Sequence, residues 1–153
     1  MPKKSREQTL NTIDTIMSAV VDQLIVLGYD RMSYTTLSEQ TGISRTGISH
    51  HFPKKTDFTL RLNGQIFDRL QSHLIINHDL LAFKESWIQS LANQEFCALL
   101  RLIYHHAVAS EQCVYFAKET LDKLYQNVEA RFGRQAIVEL DALIGHSLLK
   151  LCQ

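Results

Sequence analysis

The sequence predicts an all-α fold, with an N-terminal three-helix domain over residues 1–53 and a small helical domain over 54–153. Three observations carry that prediction. Apolar residues recur at steps of three and four along almost the whole chain, the period of a helix with one buried face. Only 2 Pro and 6 Gly occur in 153 residues, which leaves room for long helices and little for a many-turned β architecture. No segment shows the alternation of a convincing strand, and neither an internal repeat nor a low-complexity tract is present.

The first helix is expected to start at Ser5, whose hydroxyl caps it while Gln8 reaches back. Its stripe is Ile13, Ile16, Met17, Val20, Leu24 and Leu27, with Gly28 as a left-handed stop. A short second helix is capped by Ser33 and ends at Gly42, and a third runs from Ser44 to Phe52. Pro53 interrupts, and one long helix is expected from near Lys54, carrying Phe58, Leu62, Ile66, Phe67 and Leu70. Four more helices follow, at about 80–91, 94–109, 112–132 and 134–152. Trp87 centres the first of these, and Gly133 separates the last two.

Composition narrows the function classes. Hydrophobic residues are 45% and charged residues 21%, an ordinary globular mixture. No apolar run approaches the ~20 residues that cross a bilayer. Lys3, Lys4 and Arg6 precede no apolar h-region, so no signal peptide is read and a cytoplasmic setting is expected. Three widely spaced cysteines, Cys97, Cys113 and Cys152, point to reduced thiols. Net charge is zero, but residues 1–61 hold eight Lys/Arg against six acids, a mild basic excess.

Ser33 to Phe58 is the informative stretch. A helix-turn-helix needs a residue tolerant of positive φ in its turn, and Gly42 supplies it. Ile43 plugs the angle between the helices, Ser38 is small where they cross beside buried Leu37, and Ser44 and Ile48 cap and bury the second helix. An αα-corner in an unrelated bundle would share part of this pattern. The residues that follow separate the two: Gly42-Ile43-Ser44, then Arg45 to His51, then Phe52-Pro53, then Lys55. This order resembles the tetracycline-repressor-like (TetR) family of bacterial transcriptional regulators over about residues 8–60. The resemblance implies a DNA-binding regulator with a repressor's action on a palindromic operator. The chain departs from the family at Ser49, where a Tyr is usual, and His50 or neighbouring hydroxyls are expected to take over its contact.

A recognition helix lies in the major groove with its N-terminal side chains nearest the base edges. Arg45 is the candidate for bidentate pairing with guanine, and Thr46 for a base contact or a thymine methyl. Ser49 and His50 reach bases or phosphates, and Ser44, which caps the helix, and Gly47 are counted with them in the expected DNA-binding set. Gly47 costs about 1 kcal/mol of helix propensity relative to Ala, offset if a bare Cα permits close approach to DNA. Tyr34, Thr35 and Thr36 at the second helix start are expected to meet one strand, and Lys54 and Lys55 to meet phosphates.

One recognition helix reads only a half-site, so a homodimer is expected. In the resembled family the C-terminal helices form the dimer face and enclose a ligand pocket. The candidate dimer residues are Leu121, Leu124, Val128, Ile137, Leu140, Ile144 and Leu148, which an ordinary core would use equally well. Candidate walls for a small apolar or aromatic ligand are Phe67, Trp87, Phe96, Leu100, Tyr104 and Tyr115, again residues a plain core would use. The C-terminal half is one or two helices shorter than the family usually has.

No metal site or cofactor is expected. His105 and His106 are adjacent and point about 100° apart on a helix, and no His-x₃-His or Cys-x₂-Cys pair occurs. Cys113 near a helix start is either an inert thiol or an oxidant sensor. No enzyme motif is present: Gly42 to Gly47 is one residue too long for a nucleophile elbow, and no phosphate loop occurs. A helical protein-interaction module, with the helix-turn-helix as a mere corner, is the alternative to a regulator.

Overall fold

The computed structural model describes residues 5–62, 64–109 and 115–153, and every regular element among them is a helix. They are α1 (Arg6–Val26), α2 (Tyr34–Thr41), α3 (Arg45–His51), α4 (Thr56–Leu60), α5 (Gln65–Gln71), α6 (Leu80–Ser90), α7 (Gln94–Ala109), α8 (Tyr115–Phe132) and α9 (Ala136–Leu151). The chain divides into two compact units, Met1–Asn63 and Gly64–Gln153.

In the first unit the local signals act as expected. Ser5 and Gln8 form the reciprocal capping box of α1, Ser33 caps α2, and Ser44 Oγ accepts from the Gly47 N–H at the start of α3. Gly42 ends α2 at φ +73, a conformation that costs a residue with a Cβ about 1–2 kcal/mol. The buried face of α1, built on Ile16, Met17, Val20 and Leu24, packs against α2, and α2 packs against α3. Leu37, Ile48, Phe52 and Phe58 are buried with them, the Phe52 and Phe58 rings 4.9 Å apart.

The expected long helix from Lys54 is instead two short ones. The α4 turn ends at Leu60, and Gly64 at φ +78 precedes α5. A left-handed residue cannot continue a right-handed helix, although the apolar stripe from Phe58 to Leu70 runs on through the break.

The second unit packs α8 against α5, α7 and α9, with α6 and α7 also on α9. Phe83, Trp87, Phe96, Leu99, Ile103, Phe116, Leu124, Val128 and Leu140 are buried in it. Asp79 caps α6 through Ala82 N–H, and Asn93 Oδ1 accepts from Phe96 N–H at the start of α7. The expected first residues of α8, from Gln112, and Cys113 lie outside the described residues.

Candidate nucleic-acid interface

The exposed face of α3 is made by residues one turn apart. Arg45 and Ser49 stand at i,i+4, as do Thr46 and His50, and the Ser49 hydroxyl donates to the Thr46 carbonyl at 3.1 Å. Arg45, Thr46 and His50 are exposed, while Ile48, across the helix from Thr46 and His50, is completely buried. Burying Ile48 thus fixes which way the other four side chains point.

Gly47 has a packing reason that its sequence position does not reveal. A Cβ there would stand 3.1 Å from Ile43 Cγ2 and 3.2 Å from Ser44 Oγ. The same residue presents the N–H that Ser44 caps, so turn, cap and bare Cα form one unit.

The residues at the start of α2 divide. Thr35 is exposed. Thr36 faces inward: its hydroxyl accepts from Ser33 N–H at 2.9 Å and lies 2.6 Å from Gln23 Oε1, to which it donates. Gln23, nearly buried on α1, in turn donates to the Thr36 carbonyl and to Gln40 Oε1. Tyr34 also turns inward, its hydroxyl donating to the Phe52 carbonyl at 2.6 Å and its ring 5.6 Å from Phe58. Burial, with Asp57 nearby, raises its phenol pKa above the ordinary value. The hydroxyls of Tyr34 and Thr36 are therefore engaged inside the unit, contrary to the expectation that they meet a DNA strand.

The two lysines differ in the same way. Lys54 is exposed, and its backbone N–H is accepted by Asp57 Oδ2. Lys55 is half-buried, its ammonium 4.4 Å from the centre of the Tyr29 ring and 3.4 Å from the Asp30 carbonyl. Burial lowers its pKa, against the pull of Asp30. Lys55 fastens the turn after α1 to the start of α4.

In the second unit the candidate pocket walls are mostly core. Phe67, Trp87, Phe96 and Leu100 are buried, and Trp87 meets Phe96 edge to face at 5.4 Å. Trp87 Nε1 donates to Ser147 Oγ, and the half-buried Tyr104 hydroxyl donates to the Ile144 carbonyl. Tyr115 is 73% exposed and is no part of that core.

The candidate dimer residues split by burial. Leu124, Val128 and Leu140 are buried within the single chain and are not available to a partner copy, while Leu121, Ile137 and Ile144 are partly exposed and Leu148 is exposed. The outward face of α9 is offset by one or two positions from the expected seam. Val138, Ala142, Gly145 and Leu149 follow one another at helical spacing, with Val138 71% and Leu149 70% exposed. A Cβ at Gly145 would meet nothing within 4 Å.

Among the described residues no group of three or more His, Cys, Asp or Glu is placed to hold a metal ion, and no helix is long and apolar enough to cross a membrane. The side-chain network around Gln23 was not anticipated from the sequence; its signal is one amide set among Val20, Val21 and Leu24 on an otherwise apolar stripe.

No curated protein matches the chain. A family model described as the tetracycline repressor LuxT C-terminal domain matches residues 63–151, the second unit almost end to end. With more than half of its length matched, the chain belongs to this family of tetracycline-repressor-like transcriptional regulators.

Proposed function

We propose that the protein is a sequence-specific DNA-binding repressor that reads a palindromic operator as a homodimer. The observation that carries this reading is the outward face of α3, where Arg45, Thr46 and His50 are exposed beside Ser49 and buried Ile48 lies across the helix from Thr46 and His50. A short helix held by a capped turn, with its first-turn side chains free of internal duties, suits insertion into a major groove. Arg45 pairs with a guanine edge, Thr46 with a base or a thymine methyl, and Ser49 and His50 complete the contact. Thr35 and Lys54 meet phosphates and set the register.

Two copies meet through α9. Val138, Ala142, Gly145 and Leu149 form an apolar stripe, and the bare Cα of Gly145 allows a second helix to approach closely. A glycine inside an exposed helix face costs about 1 kcal/mol relative to Ala, so its position at the centre of this stripe favours a packing role. A two-fold dimer places two recognition helices on related half-sites. The buried state of Trp87, Phe96 and Leu100 gives these residues a packing role, and no effector is assigned to them.

Binding of the purified protein to random duplexes, with sequencing of the retained fraction, tests the reading. The expected result is an inverted repeat whose retention falls steeply with salt. Retention of no DNA at any ionic strength would favour a protein-interaction module.

A further inference from the structure

We propose that Tyr34 is a positioning residue: its hydroxyl ties the start of α2 to the end of α3 and so sets the angle at which α3 meets DNA. The proposal rests on the reading of α3 as the recognition helix.

The α2–α3 pair is joined at one end by Gly42, Ile43 and Ser44. With that joint alone, the far ends of the two helices would be held by side-chain packing and nothing directional. Tyr34 is the first residue of α2, and Phe52 is the C-cap of α3. The Tyr34 O–H donates to the Phe52 carbonyl at 2.6 Å, closing the open end of the angle. The acceptor needs such a donor. At φ −131, ψ 81 Phe52 has left the helix and its side chain is buried, so its carbonyl lies outside the ladder of α3.

Both ends of the bridge are themselves fixed. The Tyr34 ring packs on Phe58 at 5.6 Å, and Phe58 packs on Phe52 at 4.9 Å. The backbone around Tyr34 is held by the Ser33–Thr36 capping box, which Gln23 of α1 grips through its amide oxygen and nitrogen. Position thus passes from α1 through Gln23 and Thr36 to Tyr34, and from Tyr34 to the last turn of α3. Because the phenol pKa is raised by burial, the hydroxyl keeps its proton and remains a donor under all ordinary conditions of DNA binding.

The function of such a bridge is selective. Hydrogen bonds to base edges weaken steeply with misalignment. Phosphate contacts attract over a longer range and carry no sequence information. A small tilt of α3 therefore erodes base reading before it erodes general DNA affinity.

The test is Tyr34→Phe in the full chain, which removes one oxygen and keeps the ring against Phe58. Affinity is measured for wild type and variant on the selected duplex and on a scrambled one, across a salt series. Amide exchange of α3 in the DNA-free protein supplies a second measurement. The expected result is about a tenfold loss on the selected duplex, with scrambled affinity and salt slope unchanged and faster exchange in the last turn of α3. A matched-to-scrambled ratio equal to wild type would overturn the proposal. So would equal losses on both duplexes, whether with a shallower salt slope, the mark of a phosphate contact, or with an unchanged one, the mark of a lower folded fraction. Wild-type protein with no sequence preference would overturn the DNA reading itself, and this shows before any substitution is made. Exchange at the last turn of α3 identical in the two proteins would overturn the proposal independently of DNA.

Discussion

Trp87 and Ser147, sixty positions apart in the chain and both completely buried, meet in a hydrogen bond of 2.7 Å from the indole Nε1 to the hydroxyl. The Ser147 hydroxyl in turn donates to the Leu143 carbonyl one turn back along α9. The bond joins α6 to α9 and satisfies the polar atom of the largest residue in the core. Ser147→Ala leaves the indole N–H buried without this acceptor, at an expected cost of about 1–3 kcal/mol. Trp87→Ala adds a cavity and should cost about 3–5 kcal/mol. Denaturant unfolding of the two variants checks the order.

The outward stripe of α9 predicts a separation of dimer loss from unfolding. Val138→Glu or Leu149→Glu should give a folded monomer in sedimentation, with native helical content. Leu140→Glu places a charge at a fully buried position and should unfold the second unit instead. Monomers that keep full operator affinity would remove α9 from the DNA reading.

Tyr104 makes stability sensitive to alkali. Burial pushes its phenol pKa up to about 12, from an ordinary value near 10, with Ser147 opposing weakly. The folded state thus holds the proton more tightly than the unfolded state. Its contribution is complete below pH ~10 and is lost as pH rises through ~12. Tyr104→Phe should lower stability at neutral pH by about 1 kcal/mol, through loss of the bond to the Ile144 carbonyl, and make the alkaline decline shallower. Urea midpoints at a series of alkaline pH values measure both effects.

Lys54 and Lys55 should behave differently although they are neighbours. Lys54→Gln is expected to reduce the slope of log K against log salt by about 0.9 per half-site. Lys55→Gln should leave that slope nearly unchanged and lower stability by about 0.5–1 kcal/mol, because its ammonium sits over Tyr29. A reversed pattern would return Lys55 to the phosphate set.

What could be read directly from the residues was local. Ser5, Ser33 and Ser44 announce helix starts because a cap needs only a hydroxyl and a nearby N–H, and Gly42 announces the turn because of its φ. The break before α5 was hidden: Phe58, Leu62, Ile66 and Leu70 keep a helical period across it, and only the Asn63-Gly64 pair marks a turn. On α9 the residues from Ala136 to Leu151 are apolar on nearly every side, so periodicity could not tell the core stripe from the outward one. Thr46 and His50 were legible as outward residues because Ile48 fixes the face across the helix from them. The inward turn of Tyr34, Thr36 and Lys55 was not, because each depends on partners thirteen or more positions away: Phe52, Gln23 and Asp30.

Arg45→Ala on matched and scrambled duplexes, at fixed salt, tests the central claim that α3 reads base sequence. The expected result is a loss of about 1–3 kcal/mol on the selected operator, relaxed preference at one base pair per half-site, and scrambled affinity lowered far less. An equal loss on both duplexes, with the preferred sequence unchanged, would contradict it.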